Sequence, residues 1–232
     1  MKQKLILFDI DGTLLLSLGA GRRALVAAMT EEIPHIESVA TKIRFDGKTD
    51  PQIVREMLAA SGEEPRNEAR VTAILDRYVH CLRRELAKPG HRTDIMPGVL
   101  ELLDRLQDES TALLGLLTGN VAVGAELKLT SGSIRPERFA IGAYGSDHAV
   151  RAELPAIAAA RAEPHFGRRP IGAEIVIIGD TPADVTCGAG VGARAIGVAT
   201  GAYTTDELAA AGAYAAFTDL SDDEGVWRAI WE

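Results

Sequence analysis

Short apolar segments separated by helix-length segments constrain the fold of this chain most. The clearest are residues 5–8, 111–117 and 175–178. Uninterrupted apolar runs of this length are typical of strands buried on both faces of a parallel sheet. Helical periodicity returns between these runs, so strands and helices alternate over most of the chain. This alternation predicts an α/β fold, a doubly wound parallel sheet with right-handed crossovers.

One long segment interrupts the alternation. Residues 17–92 have helical periodicity throughout, and Asp50 is expected to cap a helix over residues 51–60. The segment KPGHRTDIMPG, rich in proline and glycine, then marks a return to another unit. We therefore predict an α/β core domain of residues 1–16 and 93–232, with an all-helical domain of residues 17–92 inserted after the first strand.

Composition excludes several classes of function. The chain has 232 residues, 47% of them hydrophobic, and a formal net charge of -8, so we expect no nucleic-acid partner and no membrane partner. The first apolar run stops at Asp9, too early for a signal peptide or a membrane span. Cys81 and Cys187 are far apart and predict reduced thiols in a cytoplasmic protein. The histidines lack metal-ligand spacing, so none is assigned to a metal.

Polar residues follow three of the predicted strands, where open α/β sheets bind their ligands. These residues are Asp9 and Asp11, then Thr118, Gly119 and Asn120, then Asp180 and Asp184. Each is also a residue type that caps helices, and capping alone is the simpler interpretation of Thr118 and Asn120. Capping does not explain carboxylates on neighbouring buried strands. Two like charges about 4 Å apart repel by about 4 kcal/mol at an effective dielectric constant near 20, so such a cluster predicts a bound cation, and oxygen ligands favour Mg²⁺.

Four segments, in this order, resemble the motifs of the haloacid dehalogenase superfamily. They are DIDGTL, LLTGN, the stretch VRAELPAIAAARA with Arg151, and GDTPADV. The resemblance implies that Asp9 is the nucleophile that forms an aspartyl-phosphate and that Asp11 is the general acid and base. It also implies that Thr118 and Arg151 hold phosphoryl oxygens, with the amide of Gly119 assisting. Asp180 would ligate Mg²⁺ with Asp9 and the Asp11 carbonyl, and Asp184 would lie beside them as a ligand or its support.

Arg151 departs from the family pattern, since many members have lysine in this motif. Arginine stays charged and binds phosphate through two N–H groups, so the change is compatible with the role. A solvated surface arginine before a helix is the alternative interpretation.

The resemblance extends to the inserted helices, which lie where superfamily members with a helical cap have theirs. The pattern is closest to phosphoglycolate phosphatases and phosphomutases. Such a cap closes over the site and selects the leaving group. The segment FDGKTDPQ supplies the candidate substrate-binding residues Phe45, Gly47, Lys48 and Thr49, along with Asn120 of the core. Lys48 is either a contact for an anionic substrate group or a solvated loop charge.

These residues favour a magnesium-dependent phosphatase acting on a small phosphate monoester, such as 2-phosphoglycolate or a sugar phosphate, as a cytoplasmic monomer or homodimer. A phosphomutase uses the same residues, and Lys48 keeps a phosphonate hydrolase open as well. A dehalogenase is disfavoured because it needs neither Asp11 nor the magnesium-binding acids. A phospho-acceptor signalling domain and a catalytically silent binding protein are the alternatives from other classes.

Overall fold

The computed structural model describes residues 3–232, with a six-stranded parallel sheet at its centre. A two-residue strand pair, β2 and β3, lies outside this sheet and is antiparallel. The order across the main sheet is β5-β4-β1-β6-β7-β8. The strands are β1 Lys4–Phe8, β2 Leu15–Leu16, β3 Asp94–Ile95, β4 Ala112–Thr118, β5 Ile141–Tyr144, β6 Ile175–Gly179, β7 Arg194–Val198 and β8 Ala215–Phe217.

The strand order confirms the predicted doubly wound sheet. From β1 the chain builds outward through β4 and β5 on one side, then crosses to β6, β7 and β8 on the other. Phe8 pairs with Leu116 of β4 and with Ile178 of β6, so the three central strands end nearly level. Their carboxyl ends therefore form the switch point at which doubly wound sheets bind ligands.

Helices cover both faces of the sheet, as the alternating pattern requires. Successive side chains of β1 point to opposite faces: Ile6 and Phe8 belong to one apolar cluster, and Leu5 and Leu7 to another. Each cluster is completed by buried helix residues, so the side chains of residues 5–8 are not exposed to water on either face. The helices that follow β3 are α5 Val99–Asp108, α6 Ala122–Ser131, α7 Leu154–Phe166, α8 Pro182–Cys187, α9 Thr205–Ala210 and α10 Asp223–Trp231.

Four helices lie between β2 and β3 and have an apolar cluster of their own. Leu25, Met29, Met57 and Tyr78 are among its fully buried members, and Val121 joins it from outside this segment. The helices are α1 Ala20–Thr30, α2 Ile36–Ala40, α3 Asp50–Ala60 and α4 Glu68–Leu86. An inserted helical unit is therefore present, as predicted, and the boundaries at residues 17 and 92 remain a prediction.

Two local features differ from the sequence expectations. Thr49, not Asp50, caps α3: the Thr49 hydroxyl accepts a hydrogen bond from the Gln52 amide at 3.2 Å, and Asp50 is the first helical residue. The sequence pattern also did not reveal β8 or α10, nor the ribbon of β2 and β3. In residues 3–232, no helix combines the length and the apolar character needed to cross a bilayer.

Candidate active site

The residues predicted from strand ends come together at one edge of the sheet. Asp9 directly follows β1, Thr118 is the last residue of β4, and Asp180 directly follows β6. Because β1 lies between β4 and β6, these side chains converge. All three are buried, with 7%, 0% and 5% of their surface exposed.

Three of the carboxylates form a compact group. Asp9, Asp180 and Asp184 each place a carboxylate oxygen within 4.8 Å of the others. Thr13 donates its hydroxyl to Asp180 Oδ1 at 3.2 Å. Glycine at position 12 makes room for this arrangement, since a Cβ there would lie 2.3 Å from Asp180 Oδ2.

The group is electrostatically unfavourable by itself. Burial, reinforced by the charges of Asp184 and Asp9, raises the pKa of Asp180 to about 9. Burial also raises the pKa of Asp9 to about 6, although the Arg151 guanidinium acts in the opposite direction. Carboxylates in such surroundings either hold protons or bind a cation. The all-oxygen donor set fits a hard divalent ion such as Mg²⁺.

Arg151 lies inside this group, so the surface interpretation of this residue is wrong. Only 7% of its surface is exposed. Nη2 lies 3.2 Å from Asp9 Oδ1 and also pairs with Asp184 Oδ1. These two carboxylates raise the pKa of the guanidinium despite its burial. The Nε atom is buried and has no hydrogen-bond partner in residues 3–232, which leaves a donor for an anionic ligand.

Asp184 has a second, structural task. Its Oδ2 accepts hydrogen bonds from the Thr181 amide at 3.0 Å and from the Thr181 hydroxyl at 2.6 Å, forming a capping box at the start of α8. Its Oδ1 pairs with Arg151. Both oxygens therefore already have protein donors, whereas within residues 3–232 Asp180 accepts one side-chain hydrogen bond, from Thr13. Asp9 and Asp180 are thus the better placed of the three to hold a cation.

The Asp11 carboxylate is outside the acidic group and has different partners. Its Oδ2 accepts from Asn120 Nδ2 at 2.8 Å and from Lys128 Nζ at 2.6 Å. Asn120 Nδ2 also donates to Thr118 Oγ1 at 2.8 Å. The Asp11 side chain is 40% exposed and lines a cavity at the sheet edge.

Neither Thr118 nor Asn120 caps α6. The residue preceding that helix is Val121, which has no capping side chain. Its amide instead donates to Asp50 Oδ2 at 2.8 Å. The capping interpretation of Thr118 and Asn120 is therefore wrong, and both side chains belong to the network around Asp11.

A cavity of about 440 Å³ lies between the sheet edge and the inserted helices. Phe45, Gly47 and Lys48 line it, as do Gly119 and Asn120. Thr49 is not among the lining residues, because its hydroxyl points to the core and donates to the Ala149 carbonyl at 2.6 Å.

Two cations line the part of this cavity that the inserted helices form. Lys48 pairs with Glu56 of α3, and its side chain is 26% exposed. The Arg22 guanidinium stacks 3.9 Å from the centre of the Phe45 ring and donates to the Ala40 and Ile43 carbonyls. The inserted segment therefore brings two cations and an aromatic ring to the cavity, together with the carboxylates of Asp46 and Asp50.

Sequence reasoning did not assign Lys128 to the site, and it assigned Asp50 only to a helix cap. For Lys128 a signal was present, because it shares the buried face of α6 with Gly124, Ala125 and Leu129. A charged residue at an apolar position of an amphipathic pattern indicates a partner. The contact of Asp50 with Val121 gave no such signal, since the two residues are remote in sequence. Thr13 belongs to the DIDGTL motif, but its contact with Asp180 was not predicted.

Sequence comparisons relate this chain to known proteins. Residues 6–189 match the family model described as haloacid dehalogenase-like hydrolase. A phosphoglycolate phosphatase from Rhodospirillum rubrum is 28% identical over 223 residues, covering 94% of this chain and 88% of that protein.

Solved structures share the fold. A hydrolase from Pseudomonas syringae has a TM-score of 0.72 at 23% identity, with 99% of each chain covered. CbbY from Rhodobacter sphaeroides, in complex with phosphate, has a TM-score of 0.69 at 20% identity, with 96% of each chain covered.

Proposed function

Since this chain belongs to the haloacid dehalogenase-like hydrolase family and is a phosphatase of that family, we propose that it hydrolyses a small phosphate monoester through an aspartyl-phosphate on Asp9. The observation that carries the proposal is the contact of Arg151 with Asp9 inside a buried group of carboxylates. A nucleophile beside a fixed cation, at the floor of a cavity, is the arrangement that phosphoryl transfer requires.

The first half of the proposed reaction uses Asp9, Asp11 and Arg151. An Asp9 carboxylate oxygen attacks phosphorus, the bond from phosphorus to the leaving oxygen breaks, and its electron pair goes to that oxygen. Asp11 supplies the proton that the leaving oxygen takes up. Arg151 holds a phosphoryl oxygen, and its unpartnered Nε is a donor for this purpose. Thr118 and Gly119 line the same cavity as Arg151, and we propose that the Thr118 hydroxyl and the Gly119 amide hold other phosphoryl oxygens.

In the second half, Asp11 has lost its proton and acts as a base. It takes a proton from water, the water oxygen attacks phosphorus, and the bond between phosphorus and Asp9 breaks. Inorganic phosphate leaves and Asp9 is again a free carboxylate. Asp11 thus acts as the acid in the first half and as the base in the second. Its side chain is 40% exposed, so both the leaving group and water can reach it.

The proposed cofactor is Mg²⁺, which Asp9 and Asp180 would hold with the Asp11 carbonyl, while Asp184 supports them through Arg151 and Thr181. When bound, the ion would neutralise charge on the phosphoryl oxygens and on the carboxylates. The fit rests on the oxygen donors of the buried group and on the raised pKa values of Asp9 and Asp180.

The proposed substrate is 2-phosphoglycolate or a sugar phosphate of similar size. The cavity volume of about 440 Å³ suits a small ester. Lys48 and Arg22 line the wall formed by the inserted helices, where an anionic or hydroxylated leaving group would lie. The Rhodospirillum rubrum relative supports 2-phosphoglycolate as the first ester to test.

The proposal also covers the domain boundaries, the cellular location and the oligomeric state. We propose that residues 17–92 form the cap domain and that residues 1–16 and 93–232 form the core. A cytoplasmic location and a monomeric or homodimeric state are likewise proposed.

The test is phosphate release from a panel of esters that includes 2-phosphoglycolate and sugar phosphates, with Mg²⁺ or with chelator. We expect release only with Mg²⁺, and we expect Asp9→Asn to lower kcat by at least about 10³-fold, since loss of a nucleophile removes the whole covalent route. The matched control is Asp76→Asn, an exposed carboxylate of α4, which should keep wild-type activity.

Product analysis separates the alternatives that use the same residues. A sugar phosphate returned with its phosphoryl group on another oxygen would indicate a phosphomutase. Release from a phosphonate but from no ester would indicate a phosphonate hydrolase. An Asp9→Asn variant as active as wild type would contradict the proposed nucleophile.

A further inference from the structure

The buried ammonium group of Lys128 contacts Asp11 but has no part of its own in the two steps of the proposed reaction. Lys128 is 5% exposed on α6. Its Nζ donates to Asp11 Oδ2 at 2.6 Å and to Asn120 Oδ1 at 2.7 Å. Burying a lysine is unfavourable unless the charge is paired and hydrogen-bonded, and both conditions are met here by residues of the site.

Asn120 acts on the same oxygen of Asp11. Its Oδ1 accepts from Lys128, so its Nδ2 is the atom that faces Asp11 and Thr118. Lys128 and Asn120 therefore both donate to Asp11 Oδ2. Within residues 3–232, Asp11 Oδ1 receives no side-chain hydrogen bond. The two oxygens of one carboxylate are thus distinguished by their surroundings.

The inserted helices enclose Lys128 from the other side. A Cβ at Gly21 of α1 would lie 3.3 Å from Lys128 Nζ and 3.6 Å from the Tyr78 hydroxyl. Asp50 of α3 is the second carboxylate whose charge interacts with this ammonium group. Lys128 therefore lies between a carboxylate of the sheet edge and one of the helical segment, with little room to move.

We propose that Lys128 is a positioning residue for Asp11, an inference that rests on the proposed function. With Asn120, Lys128 fixes Asp11 Oδ2, so that Oδ1 is the atom that gives its proton to the leaving oxygen and later takes one from water. The ammonium group itself transfers no proton. Without it, the Asp11 side chain can rotate, and proton transfer to the leaving oxygen becomes slow.

The leaving group separates this role from a merely structural one. An alkoxide needs a proton to depart, whereas 4-nitrophenolate departs without one. We expect Lys128→Met to slow the release of glycolate from 2-phosphoglycolate, the step that forms the aspartyl-phosphate, by about 10- to 100-fold, a part of the 10² to 10⁴ that general acid catalysis contributes. The release of 4-nitrophenolate from 4-nitrophenyl phosphate in the same step should slow by less than about 3-fold, because this leaving group needs no proton.

The measurement is rapid-quench single-turnover kinetics with excess enzyme, run on both esters. The matched control is Lys42→Met, which removes an exposed lysine and should leave both rates at the wild-type value. Thermal melting verifies that each variant is folded. Asn120→Ala serves as a second variant, because it removes the other donor to Oδ2 and should show the same selectivity for the leaving group.

The outcomes are distinguishable. Equal slowing of both esters, or no slowing of either, in folded variants would overturn the role of Lys128 while the phosphatase proposal stands. A wild-type protein that releases phosphate from neither ester would overturn the proposed function, and the assignment of Lys128 with it. Should Lys128→Met not fold, Asn120→Ala decides between the same two results.

Discussion

Asp50 joins the helical segment to the sheet edge through both its backbone and its side chain. Its amide donates to the Gly119 carbonyl at 2.7 Å, and its Oδ2 accepts from the Val121 amide at 2.8 Å. Burial raises the pKa of this carboxyl to about 6, although the charge of Lys128 acts against the shift. Folding at neutral pH therefore requires an ionised carboxylate in a place that favours the protonated form.

This predicts a pH-dependent gain of stability for Asp50→Asn. The Asp50 carboxyl ionises near pH 3.8 when the chain is unfolded and near pH 6 when it is folded, so the folded state binds more protons between these values. The free energy of unfolding therefore falls, on account of this group, as the pH rises from about 4 to about 6. Asparagine keeps the carbonyl acceptor and cannot ionise.

We expect the stability of Asp50→Asn relative to wild type to rise by up to about 3 kcal/mol over this range. Urea unfolding from pH 4 to pH 7 measures the change, with Asp76→Asn as the control. A stability difference that stays constant over that range would contradict the shifted pKa.

Individual residues also show which parts of the site can be predicted from sequence. Asp9, Asp11, Thr118 and Asp180 were predicted because each follows an apolar strand, and strand ends meet at one edge by topology. Lys128 contacts a residue 117 positions away, and this contact depends on where α6 packs. Such a pairing is a property of tertiary structure, which local patterns do not encode.

At the scale of elements, three loops meet around Gly119. A Cβ on this residue would lie 2.1 Å from the Lys48 carbonyl oxygen, and a Cβ on Gly145 would lie 2.1 Å from the Gly119 carbonyl oxygen. The loops after β4 and β5 therefore touch each other, and the former also touches the loop before α3. Positions 119 and 145 therefore have room for the hydrogen atom of a glycine but not for a side chain.

Gly119→Ala should therefore destabilise the protein by about 1 to 3 kcal/mol, the usual effect of overpacking. It should also lower phosphatase activity, because Gly119 lines the cavity. Denaturant unfolding and phosphate release measure the two effects. Gly190→Ala is the control, since nothing lies within 4 Å of a Cβ there. Equal stability of the two variants would show that the loops separate easily.

The strands that are most buried were the easiest to predict from the sequence. The fully buried strands β4 and β6 appeared in the sequence as apolar runs. The edge strand β8 is short and only partly buried, so its pattern does not stand out from a loop. The ribbon of β2 and β3 has two residues in each strand, too few for any periodicity.

At the scale of the whole molecule, the buried acidic group makes stability depend on the cation. Asp9, Asp180 and Asp184 repel one another when ionised, and an ion bound by the folded state alone stabilises it by mass action. We expect Mg²⁺ at about 100 times its dissociation constant to add about 2.7 kcal/mol to the free energy of unfolding. Chelator should reverse the gain.

The stabilisation by Mg²⁺ should decrease as the pH falls from about 9 to 6, because protons then compete with the ion for Asp180 and Asp9. Thermal melting with and without Mg²⁺ measures it. Asp180→Asn should melt at nearly the same temperature in both conditions. The same magnesium-induced increase in that variant would place the ion elsewhere.

The ribbon of β2 and β3 has a consequence for the whole chain. Leu16 pairs with Asp94, so the polypeptide leaves the core for the four inserted helices and re-enters it at one place. All six strands of the main sheet lie outside the segment between those two positions. The four inserted helices are therefore attached to the sheet through one short ribbon. A natural or designed replacement that keeps the Asp50 contacts with Gly119 and Val121 can change selectivity while Asp9, Asp11 and Asp180 stay in place.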